Sequence, residues 1–477
     1  MKTANLIGGQ WVDSAARPGI DVLNPATDEL VATVPNHGAA ETRRAIDAAS
    51  AAQQPWAGLA ASERSSYIVK LSSLMRRDTD RLAALMTSEQ GKPLAESKGE
   101  IAYAASFLDW AAEEGKRISG ETIPASSADK RILVLRQPVG VSAIITPWNF
   151  PSAMITRKLG PALACGCTTV IKPAEETPLS AIAIGELALE AGIPDGVVNI
   201  VTGEPREIGD ALFADDRVRK LSFTGSTEVG RILMKNASRN LLRLSMELGG
   251  HAPFIVFDDA DLDRAVDAAV ACKFRNAGQT CICANRFYVQ GGVHDAFVAK
   301  YAEAIAALTV GNGASPGVTV GPLINDEAVE KVEVHVDDAR SLGAEVVTGG
   351  SRVAVDGLAD RFYAPTLLTG MTPSMKLSCE ETFGPVAPVA RFSSEDEVIE
   401  LANASAYGLA AYFFTRDASR LMRVAEALEY GIVGANDGAP STAQAPFGGV
   451  KHSGFGREGG KYVMAEYTEI KYVSWRL

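Results

Sequence analysis

Apolar residues recur along this chain in two rhythms, and the change from one to the other marks its organisation. From Glu41 to about Ile118, Ala-rich stretches carry apolar positions at helical spacing, which predicts helices broken near Gln53 to Pro55 and at Gly91 to Pro93. Lys130 to Gln137 reads KRILVLRQ, apolar with charged ends and closed by Pro138, the pattern of an extended strand. Ile470 to Trp475 repeats that pattern near the far end of the chain. The two could pair into an arm used for subunit contact, although plain edge strands fit the pattern equally well.

Between them, short aliphatic runs alternate with helical stretches. Gly140 to Thr146, Thr168 to Lys172, Val197 to Val201 and Lys220 to Thr224 read as strands, with helices such as Ala181 to Ala191 between them. A second series begins at Ala252, includes Ala344 to Val347 and Val389 to Phe392, and continues to about Ile432 to Asn436. Strand and helix in alternation give parallel sheets, so two α/β domains are expected. Length and composition agree, because 477 residues at 47% hydrophobic content exceed what one core usually serves.

Charge narrows the range of partners. The net charge of -12 comes from 58 acidic and 46 basic side chains that are interleaved, with no basic run to follow a phosphate backbone, so nucleic acid is not expected. No basic-then-apolar leader precedes Trp11 and no stretch approaches about 20 uninterrupted apolar residues, which predicts a cytoplasmic protein off the membrane. Six cysteines in so long a chain are expected to be reduced thiols. Their spacing, without His pairs or Cys-x-x-Cys, predicts no metal site.

Three places could carry chemistry. Cys281 follows a polar, Gly-containing turn after the amphipathic helix Asp261 to Phe274, a position that can expose a thiol, although a packed structural cysteine fits the same context. Glu247 interrupts an apolar strand and precedes two glycines; desolvation there would raise its pKa toward the range of a general base, and a satisfied strand-end carboxylate is the alternative. In ITPWNFP, two prolines fix the backbone around Trp148 and Asn149, whose amide could donate to an oxyanion or simply serve the turn. For a dinucleotide, Gly225 and Ser226 form a strand-to-helix turn suited to phosphate, without the usual G-x-G-x-x-G fingerprint. Lys172 and Glu175 end another strand. An acid there could accept ribose hydroxyls and repel a 2'-phosphate, which predicts NAD rather than NADP, and ordinary surface charge fits the pair equally well.

PWNFP, KPAEETP, FTGS, MELGG, FRNAGQTC, EETFGP and PFGGVKHSGFGRE occur in the order and approximate spacing of the NAD(P)-dependent aldehyde dehydrogenase superfamily, which the chain resembles over nearly its whole length. Within it, PSAMITRKLGPALACGCTTVIKPAEETP, KFRNAGQTCICANR and EALEYGIVGAN most resemble succinate-semialdehyde dehydrogenases. The resemblance implies an α/β fold of two Rossmann-like domains plus a small β oligomerisation arm. Residues 1–120 and 141–247 would bind NAD, 248–445 would be catalytic, and 121–140 and 460–477 would form the arm of a homodimer or homotetramer.

It also assigns roles. Cys281 would attack the aldehyde, Asn149 and the Cys281 N–H would hold the oxyanion, and Glu247 would deprotonate the water that hydrolyses the thioester to a free acid. Lys172 and Glu175 would meet the adenosine ribose, Gly225 and Ser226 the pyrophosphate, Glu381 the nicotinamide ribose beside Phe383, and Trp148 and Leu248 the nicotinamide. Arg157, Arg275 and Ser441 would hold a distal carboxylate, for which a guanidinium fork is well shaped. Cys283 could form a reversible disulfide with Cys281. Asp437 and Pro440 depart from the family pattern, which leaves glutarate semialdehyde, 2-oxoglutarate semialdehyde and an aromatic aldehyde open beside succinate semialdehyde. A noncatalytic scaffold on the same fold would be expected to lose Cys281, Glu247 or Asn149, and all three are present.

Overall fold

A computed structural model describes residues 2–13 and 17–477. Its first sheet has eight strands. Val198–Ile200, Thr169–Lys172, Val141–Ile145, Val218–Thr224 and Arg243–Glu247 run parallel in that spatial order. The hairpin of Asn5–Ile7 and Gln10–Val12 extends one edge, and Gly454–Phe455, from the far end of the chain, pairs antiparallel with Arg243–Glu247 at the other. These central strands are nearly all aliphatic and buried, as a sheet covered on both faces requires.

The second sheet has seven strands. Thr366–Thr369, Val386–Phe392, Ala284–Gln290, Ala252–Val256, Ala410–Phe414 and Ile432–Ala435 are parallel, with Glu345–Thr348 antiparallel at the edge. Its core is aromatic as well as aliphatic: Phe254 lies 5.0 Å from Phe414 and 5.1 Å from Phe287, ring centre to ring centre. The two terminal-pattern strands do pair. Thr468–Arg476 lies antiparallel to Lys130–Pro138 in continuous register from Thr468 opposite Pro138 to Arg476 opposite Lys130, and Glu121–Ile123 adds a third strand. Ile470, Tyr472 and Trp475 on this ribbon are exposed.

The lead-in is helical, as Ala39–Ala57, Ala61–Arg77, Thr79–Gln90 and Leu94–Glu114. One expected boundary moves. The first helix continues through Pro55 to Ala57 and stops at Gly58; Pro55 forfeits the one N–H bond it would have made to Ala51, and the helix ends two residues later.

Leu94–Glu114 anchors two neighbouring segments. Its Glu100 is buried and accepts hydrogen bonds from the Ser152 and Ala153 N–H groups at 2.9 and 3.1 Å, satisfying the first turn of the helix Ala153–Cys165. The same carboxylate pairs with the buried Lys92 ammonium at 2.5 Å, and Lys92 also donates to the Asn149 carbonyl at 2.7 Å. Breaking such a pair leaves one buried charge uncompensated. Glu100→Ala is expected to destabilise the fold by about 3–5 kcal/mol, seen as a thermal midpoint lowered by several degrees. The double variant Lys92→Met/Glu100→Met should recover most of that loss.

Candidate functional site

Cys281 borders two cavities, one of about 290 Å³ and one of about 350 Å³. The loop that carries it is strained and heavily tethered. The helix Leu262–Phe274, capped by the Asp261 side chain, ends at Arg275. Asn276, Ala277 and Gly278 then take left-handed backbone angles, φ 51°, 55° and 76°. Non-glycine residues resist that region by roughly 1 kcal/mol or more each, so the surroundings must impose it.

They do so through hydrogen bonds. The Asn276 N–H donates to Glu96 at 2.8 Å, Gln90 donates to the Asn276 Oδ1 at 2.9 Å, and the Asn276 Nδ2 donates to the Asn149 carbonyl at 3.0 Å. Gln279 closes the turn by donating to the Asn276 carbonyl at 3.0 Å. Glycines permit the close approaches around the turn. A Cβ on Gly278 would lie 2.2 Å from the Gly384 carbonyl oxygen, and one on Gly250 would lie 2.1 Å from that of Cys281.

The smaller cavity is largely apolar. Phe150, Met154, Ile282 and Phe447 line it together with Arg157, Arg275 and Ser441, so the structure brings the three expected carboxylate-binding residues to the same cavity as Cys281. Arg157 is fully buried, stacked 3.7 Å from the Phe447 ring centre, and in ion contact with Glu458 at 2.8 Å. Ser441 shares a short hydrogen bond with Tyr103. Asp437, expected near the entrance, instead accepts the Ala439 N–H at 2.8 Å in a local turn and does not line the cavity, nor does Pro440.

The larger cavity is lined by Trp148, Asn149, Gly225, Ser226, Leu248, Glu381 and Phe383. Ser226 caps the helix Thr227–Ala237 by accepting the Val229 N–H at 3.2 Å, so the positive end of that helix faces the cavity. Trp148 and Phe383 meet edge to face at 5.6 Å. Glu381 accepts the Gly250 N–H at 3.0 Å, and burial pushes its carboxyl up to about 7. A helix N terminus for pyrophosphate, a carboxylate for ribose hydroxyls and an apolar end for a flat ring fit a nicotinamide dinucleotide.

Asn149 and Glu247 occupy different settings. The Asn149 Nδ2 donates to the Gln279 carbonyl at 2.9 Å, which leaves its second N–H for a ligand, and its Oδ1 has no partner among the described residues. Glu247 ends its strand in a buried cluster rather than on either cavity wall, and its Oε2 is unpartnered among the described residues. Burial and the neighbouring Glu458 charge push Glu247 well above the usual carboxylate range. Glu458 is buried too, yet Lys158, at 2.5 Å, and Arg157 outweigh that burial and hold it below the usual range. Of the two carboxyls, Glu458 is thus the one whose charged form is favoured, and Glu247 the one that more readily takes up a proton.

Lys172 and Glu175 sit at the same edge of the first sheet but outside the lining of the larger cavity. They form an ion pair with each other, and Lys172 is buried. Cys283 is buried, with its thiol directed to the Lys273 carbonyl at 3.4 Å, and neither it nor Cys281 is in a disulfide. Among the described residues no group of three His, Cys, Asp or Glu side chains is placed to hold a metal ion, and no helix is long and apolar enough to cross a membrane. Residue-by-residue reading missed Gln90, Lys92, Glu96, Glu100, Tyr103 and Glu458, although the Lys-Pro after Gly91 and the Glu at the end of PFGGVKHSGFGRE marked two of their locations.

Fold and site together describe a dinucleotide-dependent oxidoreductase with a cysteine at its centre. The chain belongs to the aldehyde dehydrogenase family, which it matches over residues 11–473. It is 57% identical over 468 residues to the succinate-semialdehyde dehydrogenase [NADP(+)] of Escherichia coli, covering 98% of this chain and 96% of that one. It is 57% identical over 467 residues to the glutarate-semialdehyde dehydrogenase of Pseudomonas putida, with the same coverage. The crystal structure of an E. coli NADP-dependent enzyme superposes with a TM-score of 0.98 at 56% identity, covering 100% of this chain and 98% of that one.

Those relatives overturn the expected preference for NAD, since the E. coli proteins are named for NADP. The reason is visible in the ion pair: Lys172 offsets the Glu175 charge that was expected to repel a 2'-phosphate.

The state of Cys281 is directly measurable. Burial pushes its thiol up to about 12, with Arg157 drawing it down and Glu381 and Glu247 adding to the rise. Alkylation of Cys281 by iodoacetamide, followed by mass spectrometry, should therefore accelerate about tenfold per pH unit between roughly pH 7 and 9. A plateau within that range would contradict a raised pKa.

Proposed function

We propose that this protein oxidises succinate semialdehyde to succinate, with NADP as hydride acceptor and Cys281 as nucleophile. The observation that carries the reading is the position of Cys281, between a dinucleotide-shaped cavity and a cavity lined by Arg157, Arg275 and Ser441. A semialdehyde anchored by its carboxylate to the guanidinium groups would present its carbonyl to the thiol.

Burial raises the Cys281 thiol, so its proton passes to solvent water as Sγ bonds to the carbonyl carbon and the carbonyl π bond opens to the oxyanion. The free N–H of Asn149 and the Cys281 backbone N–H hold the resulting oxyanion. Glu381 and the helix start at Ser226 and Thr227 hold the dinucleotide, with Trp148, Leu248 and Phe383 around its ring. The bound dinucleotide supplies the acceptor for the hydride that leaves the same carbon. Glu247 then turns out of its buried cluster toward the thioester, gives any proton it carries to solvent and, as a carboxylate, takes one from water; the hydroxide adds to the thioester carbon, the C–S bond breaks, and the acid leaves as the Cys281 sulfur regains a proton. A raised pKa suits that task, because the carboxyl must accept a proton near neutral pH and pass it on. The same reading takes the exposed ribbon of Lys130–Pro138 and Thr468–Arg476 as the contact of a cytoplasmic homodimer or homotetramer, with residues 1–120 and 141–247 serving the dinucleotide and 248–445 the catalysis.

Glutarate semialdehyde is a second reading, supported by the similarity to the P. putida enzyme. Absorbance at 340 nm with succinate and glutarate semialdehydes, each with NADP, tests both. The expected outcome is turnover that is absent in Cys281→Ala, and KM for the semialdehyde raised roughly tenfold to hundredfold in Arg275→Met with a smaller change in kcat. No cofactor reduction with any aldehyde would sink the proposal.

Glu247→Gln separates the two halves of the reaction. It should retain a first-turnover burst of reduced cofactor and lose roughly 10²–10⁴-fold in the steady state, with an acyl adduct on Cys281 visible by mass spectrometry. Loss of the burst and the steady state together would place Glu247 in the attack step instead.

A further inference from the structure

The cavity that holds Arg157 and Arg275 contains carboxylates of its own, Glu96 and Glu100. Two of these four charges are paired. Glu100 is paired with Lys92 and caps the helix Ala153–Cys165. Arg157 is in contact with Glu458. Arg275 has no ion pair among the described residues and lies 5.2 Å from the Phe150 ring centre, so its fork remains open to a ligand.

Glu96 is the second charge without an ion-pair partner among the described residues. One oxygen, Oε2, accepts the Asn276 N–H at 2.8 Å, next to Arg275 in the chain, while no cation pairs with the carboxylate among the described residues. The group therefore sits on the wall of an anion site, close enough to act on Arg275 without neutralising it by contact. Burial pushes Glu96 up, and Lys92, the Asn276 N–H and Arg275 draw it back. A backbone anchor needs only an acceptor, which a glutamine would supply as well. What a carboxylate adds is negative charge.

Oxidation of a semialdehyde, the activity proposed for this protein and the reading on which this step rests, gives that charge a use. The substrate enters with one carboxylate and leaves with two, so the same pair of guanidinium groups attracts the product more strongly than the substrate. Binding that favours the product slows its release. We propose that Glu96 is a specificity-determining residue: its carboxylate opposes the attraction of Arg275 and Arg157 for anions, which lets the dicarboxylate leave.

Glu96→Gln in the full-length enzyme isolates the charge, because it keeps an acceptor for the Asn276 N–H. Two quantities are read: the inhibition constant of succinate, and the ratio of kcat/KM for succinate semialdehyde over butanal, which has the same carbon count and no charge. The expected result is an inhibition constant lowered roughly tenfold and a ratio raised by a similar factor. Glu96→Ala, which removes charge and acceptor together, should show the same tighter succinate binding with an added loss of kcat for both aldehydes. An unchanged inhibition constant in Glu96→Gln overturns the proposal and leaves Glu96 as an anchor for the loop. A wild-type enzyme that does not prefer succinate semialdehyde to butanal would overturn the substrate reading instead, and the succinate inhibition constants would still decide the role of Glu96.

Discussion

The Lys92 ammonium lies away from water with two acceptors, the Glu100 carboxylate and the Asn149 carbonyl. Through these contacts a single buried ion pair sets the position of three parts of the site. Glu100 fixes the start of the helix Ala153–Cys165 and so the depth of Arg157. Lys92 holds the backbone of Asn149, whose carbonyl also receives the Asn276 side chain at the foot of the nucleophile loop. Burying two charges is rarely stabilising in itself, and a well-packed apolar pair could hold the fold as firmly. What an apolar pair lacks is directed hydrogen bonding, and this pair uses it to align residues from a helix, a strand end and a loop that lie far apart in sequence.

A second buried cluster sets two carboxyls apart in their readiness to hold a proton. Arg157, Lys158, Glu247 and Glu458 share a space with little water, and two cations do not stabilise two carboxylates equally. Glu458 takes the direct contacts and is held below the usual carboxylate range; Glu247, buried beside it without them, is pushed above. Glu247 makes no direct ion contact with Arg157, whose pairing within the cluster is with Glu458. Arg157 consequently belongs to both clusters, with one face toward the cavity and the other against Glu458.

Much of this was legible in the sequence, for reasons that differ by residue. The two sheets follow from aliphatic runs punctuated by turns, and the ribbon from two similar strands that turned out to be partners. Cys281, Asn149 and Glu247 were legible only in company, since each alone fits an ordinary structural role. Glu96, Glu100 and Tyr103 were not, because on an amphipathic helix a charge or a tyrosine at i, i+4 and i+7 reads as a solvated face. Only tertiary packing shows that this face lines a cavity. The expected preference for NAD failed for a more local reason. Glu175 was weighed as a free charge, whereas one turn of chain brings Lys172 against it.

Placing the nucleophile between two sheets also explains why its loop is strained. Cys281 faces two cavities, one at the ends of the first sheet's strands and one lined largely by side chains from Leu94–Glu114, Ala153–Cys165 and Arg275. A regular turn after the helix Leu262–Phe274 would carry the chain away from one or the other. The left-handed run Asn276 to Gly278 redirects it, and the tethers from Gln90, Glu96 and Asn149 supply the energy that this backbone requires. Each tether originates outside the sheet that bears Cys281. The thiol is therefore oriented by the substrate side of the molecule, and a change in that wall alters the geometry of attack as well as the fit of the substrate.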